Sequence, residues 1–505
     1  MLGGLSACSN GPASPSDRAD ATDTPTPPEE TADTAEERLL QVIDGPTYGV
    51  PADSKALLVG EVRFTTSVPS VPTLHIDGPC GRDSVRFPEA TEHVLPVLGL
   101  HMGAEHQLSL GLEGAGEQLD VAVGPVTTAV LANLPPVEVH AHDPAQMEPG
   151  LLVFTPYHSD EAGWVLAVDD ALHLVYALPQ KVEDITLEPG GTWLANHEER
   201  VVRWDAFGRE LAAWTDGEHR VHHEAFSLPD GGVLTISGEE VVEPDFPTDE
   251  TLTATEEHTL LAQQILRFAS DGTVVERLRL GELLDTRRVG YLSLEGADPK
   301  DWAHANSVVP WDDDSYVVSV RHLDVVAAVN RDGTLRWLLG DPTGWEAPWS
   351  EAFLTPADPS FTWFRHPHAL EVQPDGLVVL FDNGNYGGSP YAPAPDGLDV
   401  VSRGLALRVD EEAGTFEQVW SLPHEGLFSP GQGDADVLPH TGNALLVFTM
   451  TGALPSRSRI VQLHPERPDE PALDVTIGGD VRRFVYRAEV VPSLYPDGWS
   501  LPPSE

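Results

Sequence analysis

From Leu40 to Pro135 apolar and polar positions alternate with a period of two. Leu58, Gly60, Val62 and Phe64 fall on one face, with Glu61 and Arg63 on the other, and 107–112 and 119–123 repeat the pattern. Successive side chains of a strand point to opposite sides, so each segment reads as a half-buried strand. Short strands of this kind between Gly/Pro turns predict a small β-sandwich over residues 40–138. From about Glu148 the pattern changes to strongly apolar runs separated by two alternating turns. One resembles x-Asp-Gly-Thr, at Ser270-Asp271-Gly272-Thr273, Arg331-Asp332-Gly333-Thr334 and Glu412-Ala413-Gly414-Thr415, with looser versions at Asp170 and Phe207. The other is centred on Pro189, Pro229, Pro310, Pro374 and Pro439. One hairpin of each kind makes a four-stranded sheet, and repeated sheets of this kind predict a β-propeller over residues 139–497. Five full pairs of turns and a last one, from near Pro465 to Pro492, predict six blades. The ring is expected to close through Tyr486–Val491, pairing into the first or the last blade. The predicted class is all-β: a six-bladed β-propeller preceded by a small β-sandwich domain.

Composition agrees with this reading. The 505 residues are 41% hydrophobic, enough for two domains, and 45 Gly with 45 Pro favour turns and short strands over long helices. Acids outnumber bases 81 to 29, a formal charge of −52. Such a chain is a poor partner for nucleic acid or an anionic membrane surface. No apolar run is long enough to cross a bilayer as a helix. With only Cys8 and Cys80, no disulfide framework is expected. Lys55, Lys181 and Lys300 are followed by Ala, Val and Asp, so no nucleotide-binding P-loop is present. Neither a G-x-S-x-G elbow nor an H-E-x-x-H motif occurs, and Gly111, Gly114 and Gly116 lack the strand-to-helix setting of a dinucleotide site. Leu5-Ser6-Ala7-Cys8 reads like a bacterial lipobox. The residues from Ser9 to Glu37 are mostly Ser, Pro, Thr, Asp, Glu and Ala, with no large apolar side chain. Such a segment cannot bury enough surface to fold. Residues 1–39 are therefore expected to be a lipoprotein start and an acidic tether. The alternatives are a chance match and an ordinary disordered tail. On the lipobox reading, which requires translation to start upstream of Met1, the chain is expected to be exported to the cell envelope, periplasmic or at the outer membrane, and anchored through Cys8.

The repeat also points to a site. Six residues before the Pro of each second turn stand Glu183, His223, His304, His368, Gly433 and Tyr486. Equivalent positions of a propeller lie at one height around its central funnel, so three histidines in register are expected to converge there. The alternative is that each one merely pairs with backbone. At the other end of the following strand come His197, Glu239, Arg321, Asn383 and Thr449. Of these, Arg321 with His322 and Asn383 with Asp382 are best placed to face a ligand. Asp312-Asp313-Asp314 reads as a solvated turn rather than a calcium site.

Asp301-Trp302-Ala303-His304-Ala305-Asn306-Ser307-Val308 resembles the aryl-sulfate sulfotransferase family, periplasmic propeller enzymes that move sulfuryl groups between phenols. The resemblance continues through 314–322 and 334–340. It resumes at Phe361-Thr362-Trp363, His368, Phe381-Asp382-Asn383-Gly384, Ser402-Arg403 and Tyr486-Arg487-Ala488, and the small β domain also looks like that family's. It implies transfer from an aryl sulfate to a phenol with no nucleotide donor and no cofactor. A histidine takes the sulfuryl group, while other histidines and an arginine hold its oxygens. By motif it implies His304, His368 and Arg321 as catalytic. His223, Asn306, Asn383, Arg403 and Tyr486 are expected to bind substrate, Asn306 by orienting His304 or a substrate oxygen.

Two departures stand out. The arginine expected soon after Gly384 is missing from Asn385-Tyr386-Gly387-Gly388-Ser389, leaving Arg403 as the nearest substitute. The nucleophilic histidine is expected on the next blade, yet Phe448 to Leu454 contains none; His440, in the preceding turn, and His223 are the other candidates. A second reading follows: a non-catalytic, ligand-binding propeller lipoprotein that has lost its nucleophile. A third is a metal-dependent propeller enzyme, but only Asp382 and Glu183 are placed to support ligating histidines, so no metal is expected.

Overall fold

The computed structural model describes residues 39–157, 163–217, 219–249, 251–290, 292–385, 400–451, 457–479, 483–496 and 500–501. Cys8 and its tether lie outside the described residues. No helix among the described residues is long and apolar enough to cross a membrane.

Six sheets form the ring. Blade 1 holds Phe484–Val491, Leu151–Tyr157, Val165–Val168 and Leu174–Leu178. Blade 2 holds Ile185–Leu187, Trp193–His197, Arg200–Trp204 and Glu210–Trp214. Blade 3 holds Val221–Ser227, Val233–Pro247, Thr255–Phe268 and Val274–Arg279. Blade 4 holds Ala305–Asp312, Ser315–Val320, Val325–Asn330 and Leu335–Gly340. Blade 5 holds His368–Val372, Leu377–Asp382, Arg403–Asp410 and Thr415–Pro423, with Thr355–Pro356 added in parallel. Blade 6 holds Asp434–Val437, Ala444–Thr451, Arg457–Leu463 and Leu473–Ile477.

The apolar runs follow from this stacking. Second strands such as Ser315–Val320 and Leu377–Asp382 are buried at every residue, because neighbouring blades cover both faces. The Pro-centred turns join first to second strands and the Asp-Gly-Thr turns join third to fourth. In the latter, Asp271 and Asp332 accept the backbone N–H of Thr273 and Thr334, while Gly272 and Gly333 take the positive φ of 90° and 82° that the reversal needs.

The ring is closed twice. Phe484–Val491 pairs antiparallel with Leu151–Tyr157 as the inner strand of blade 1. Val137–His142 adds to Leu473–Ile477 as a fifth, outermost strand of blade 6, and so straddles the boundary expected at 138. Side-chain links also run around the channel. Asp184 accepts the N–H of Ala225 (2.8 Å), Glu224 that of Val308 (3.2 Å), Ser307 Oγ that of Leu370 (3.0 Å), Glu371 that of Val437 (2.7 Å) and Asp434 that of Ala488 (3.0 Å). The Thr186 hydroxyl donates to Glu489 (2.7 Å), so every inner strand is tied to the next.

The preceding domain wraps around one long strand, Gly60–Gly78. Its first half pairs with Val42–Gly49 and Ala90–Val97, its second with Gly81–Arg86 and Glu105–Gly114, and Glu117–Thr127 extends the second sheet. Alternation holds as expected: Leu108, Leu110 and Leu112 are buried while Gln107 and Glu113 are exposed. The chain end returns here, Ser500 opposite Val85, and the Tyr495 hydroxyl accepts the N–H of Leu98 at 2.8 Å. One continuous apolar core joins this domain to blades 1, 2 and 6.

Candidate active site

Four inner strands carry an irregularity toward the same end of the channel. Pairing to the second strand shifts between His222 and Phe226, Ala305 and Ser307, His368 and Leu370, and Val485 and Ala488. A bulge frees a residue from the ladder and re-aims its side chain. His223, His304 and His366 have φ of 66°, 51° and 52°. Such conformations cost about 1 kcal/mol or more each and persist where surrounding packing holds them, often at functional sites.

The result is one cluster of rings. His223 lies 5.2 Å from His304 and 5.8 Å from Tyr486, centroid to centroid, and Tyr486 lies 6.4 Å from His368. His322 stacks on His304 at 4.8 Å and approaches His366 at 5.6 Å, while His222 backs His223 at 4.7 Å. The expected convergence of His223, His304, His368 and Tyr486 is therefore present in this geometry.

Hydrogen bonds set the tautomers. Asn383 Nδ2 donates to the carbonyls of Ser429 and Gln432, both at 2.7 Å, so Oδ1 is the atom facing His368 Nδ1. His368 must then carry its hydrogen on Nδ1 and a lone pair on Nε2, which accepts a long hydrogen bond from the Gln432 N–H at 3.3 Å. His304 Nδ1 bonds the Asp301 carboxylate, which Gln263 also reaches at 3.2 Å. His322 Nδ1 donates to the Asp301 carbonyl at 2.7 Å, and its Nε2 accepts from Arg321 Nη1 at 2.7 Å. Arg321, 9% exposed, also donates to the Pro430 carbonyl at 3.2 Å.

Charge follows from this packing. Burial, reinforced by neighbouring histidines and, for all but His222, by Arg321, pushes His222, His223, His322, His366 and His368 well below the usual imidazole range. Burial opposes ionisation of Asp301, but the hydrogen bond and charge of His304 prevail and hold its carboxyl well below the usual value. The site is a fixed guanidinium beside the neutral imidazoles of His222, His223, His322, His366 and His368, with the His304–Asp301 pair at its edge. The other end of the channel is different. There a cavity of about 880 Å³ is lined by Asp184, Glu188, Glu224, Glu371, Asp436 and Glu489 around Arg203 and Arg487. Burial raises Asp184, Glu371, Asp436 and Glu489 above the usual carboxyl range, so that end holds paired arginines and protonatable carboxyls, whereas the histidine end holds Arg321 among imidazoles.

Two expected residues stand elsewhere. Asn306 does not touch His304; it is buried and donates to the Pro367 carbonyl at 2.9 Å, beside the Ser319 hydroxyl at 2.9 Å, and so fixes the turn that carries His366 and His368. Arg403 sits on the third strand of blade 5, two strands out from the channel. It is bound by Asp382 (2.8 Å), Ser421 (3.1 Å) and the Thr362 carbonyl (2.8 Å). Arg403→Ala would leave Asp382 buried without its cation and is expected to cost about 3 kcal/mol, read as a lower midpoint in urea. His440 lies at the opposite end of blade 6, its side chain 70% exposed and paired with Glu148 at 2.8 Å, so His440→Ala is expected to leave turnover unchanged.

The remaining register residues serve the fold: His197 bonds the Lys181 carbonyl, Glu239 pairs with Arg279, and Thr449 donates to the Val485 carbonyl. The triplet tip is a turn, Asp312 accepting the Asp314 N–H and pairing with Arg336. Sequence reasoning missed Asp301 and passed over His366; Asp301 lies only three residues before His304, which was the available signal. Asp301, His304 and His322 offer ligand atoms within 4.8 Å of one another, but both His322 nitrogens are already hydrogen-bonded, which disfavours a metal there. Asp382 and Glu183 support no metal either, since they bind Arg403 and the His223 N–H (3.0 Å).

The arylsulfate sulfotransferase AssT of Escherichia coli O6:H1 is 26% identical over 288 residues, 47% of this chain and 46% of that protein; the match thus spans about half of the curated relative. Among solved structures, a Bacteroides caccae protein of unknown function is 11% identical and covers 67% of this chain and 98% of its own (TM-score 0.43). Virginiamycin B lyase from Staphylococcus aureus is 10% identical, covering 68% and 100% (TM-score 0.29). The arylsulfotransferase (ASST) family model matches residues 136–487. That stretch runs from the outermost strand of blade 6 into the strand that closes the ring, and it contains every histidine of the cluster: the chain belongs to the arylsulfotransferase family.

Proposed function

We propose that this protein passes a sulfuryl group from an aryl sulfate to a phenol through His368. The supporting observation is the tautomer that Asn383 imposes, which leaves the His368 hydrogen on Nδ1 and a neutral lone pair on Nε2; the long hydrogen bond from the Gln432 N–H, 3.3 Å, gives way to the substrate sulfur. Nε2 attacks the sulfur, the sulfur–aryloxy bond breaks, and the leaving phenolate takes a proton from the His304–Asp301 pair. An acceptor phenol, its proton drawn back to that pair, attacks the sulfohistidine and restores Nε2. Arg321 and the surrounding imidazoles stabilise charge on the sulfuryl oxygens. A histidine after Phe448 is then unnecessary. The test is nitrophenol release from a nitrophenyl sulfate, dependent on added phenol and independent of nucleotide, with a sulfated His368 peptide after acid-free quenching. Absence of both across several donors would leave the ligand-binding propeller as the function.

Protonation supplies a second test. A histidine shifted downward stays neutral as pH falls through the range where free imidazole protonates. The single-turnover rate of sulfoenzyme formation should therefore stay nearly flat from about pH 7.5 to 6, whereas an imidazole of ordinary pKa would lose about fourfold. Cell-envelope location through a lipidated Cys8 belongs to the same proposal. With its natural signal the protein should partition into detergent, and Cys8→Ser should release it.

A further inference from the structure

We propose that Cys80, His101, Asp169 and His173 form a zinc(II) site that staples the β-sandwich domain to blade 1. Cys80 stands in the tight turn between Gly60–Gly78 and Gly81–Arg86, and His101 follows Ala90–Val97. Asp169 and His173 flank the turn between Val165–Val168 and Leu174–Leu178 of blade 1. One ligand atom from each residue lies within 4.8 Å of all the others. Cys80 Sγ is 3.3 Å from His173 Nδ1, and Asp169 Oδ2 is 3.0 Å from His101 Nε2 and 3.2 Å from His173 Nδ1. The edges of a tetrahedron built on zinc–ligand bonds of about 2.0–2.3 Å are about 3.3–3.8 Å, close to these separations.

Pairwise hydrogen bonds fit the group less well. His173 Nδ1 faces both a sulfur and a carboxylate oxygen and has at most one hydrogen to share between them. A single cation satisfies all four donors. One thiolate, two imidazoles and one carboxylate, arranged to close a four-coordinate shell, suit zinc rather than calcium or magnesium. The ligands are also held from behind. Asp169 Oδ1 accepts the N–H of Ala171 (3.0 Å) and His173 (2.7 Å), which turns Oδ2 toward the site. His106 Nε2 accepts the His101 N–H at 3.1 Å and lies 3.4 Å from its Nδ1. Asp83 and Asp170 line the same cavity and add negative potential. The site departs from the sequence expectation of no metal because its ligands come from separate stretches of two domains.

The experiment uses the full chain carrying Cys8→Ser, so that Cys80 is the sole thiol, stripped with chelator and titrated with zinc ion alone. One equivalent should bind, slow iodoacetamide alkylation of Cys80 by at least tenfold and raise the melting temperature. Cys80 and His173 are exposed, so Cys80→Ser and His173→Ala should fold; each should lose the zinc, whereas His304→Ala should keep it. Alkylation indifferent to stoichiometric zinc overturns the proposal, as does a metal content unchanged by Cys80→Ser and His173→Ala.

Discussion

His368→Ala is expected to abolish the covalent sulfoprotein and to lower turnover by about four orders of magnitude or more, the scale on which enzymes lose rate when a nucleophile is removed. The side chain is buried, so a purely structural loss has to be separated from a chemical one. Added imidazole can occupy the vacated space and attack in place of the missing ring. Partial rescue by imidazole, with an unfolding midpoint near that of the native protein, marks the chemical role. His304→Ala should cost less, about 10²-fold, because water or buffer can replace a proton donor more readily than a nucleophile. It should also still accumulate sulfated His368. A sulfoprotein that persists in His368→Ala, with the label on His223 for example, would sink the assignment.

Truncation before Phe484 is expected to leave no folded monomer. Phe484, Val485, Tyr486 and Val491 are buried, and at about 2 kcal/mol per large apolar side chain their loss removes roughly 8 kcal/mol. A protein of this kind is stable by only about 5–15 kcal/mol in total. The deletion also strips the ladder from Leu151–Tyr157 and the partner from Asp434, since Ala488 donates to it. The measurement is far-UV circular dichroism and gel filtration of the truncated chain. A native-like monomer would show that the second closure, Val137–His142 on blade 6, suffices.

The turns were the legible part of this chain because their chemistry is local. Asp, Gly and Thr at fixed spacing make the same reversal wherever they occur, so blade number could be counted. The histidine register was legible for the same reason: it was measured from those turns. What the sequence did not disclose depends on contacts between blades. Arg403 follows a conspicuous Asn383-Gly384 end and looked available, but its neighbour across the sheet, Asp382, claims it. Asn306 lies two residues from His304, yet the strand pairing between them shifts and sends it to Pro367 on the next blade. His366 stands two residues before His368, outside the register of the repeat, and the structure brings both to the cluster, since the turn at Pro367 folds one beside the other.

The double closure of the ring also sets an order in time. The chain is made from its N-terminus, and Val137–His142 must wait for Leu473–Ile477 before it has a partner. Tyr486, one wall of the histidine cluster, arrives later still, on the strand that completes blade 1. Domains fold as units, the N-terminal part first as the chain emerges. An emerging chain therefore carries all the histidines of the site before it has a chamber to hold them. The proposed chemistry needs the finished ring, so a chain cut short by a premature stop is expected to be silent rather than partly active.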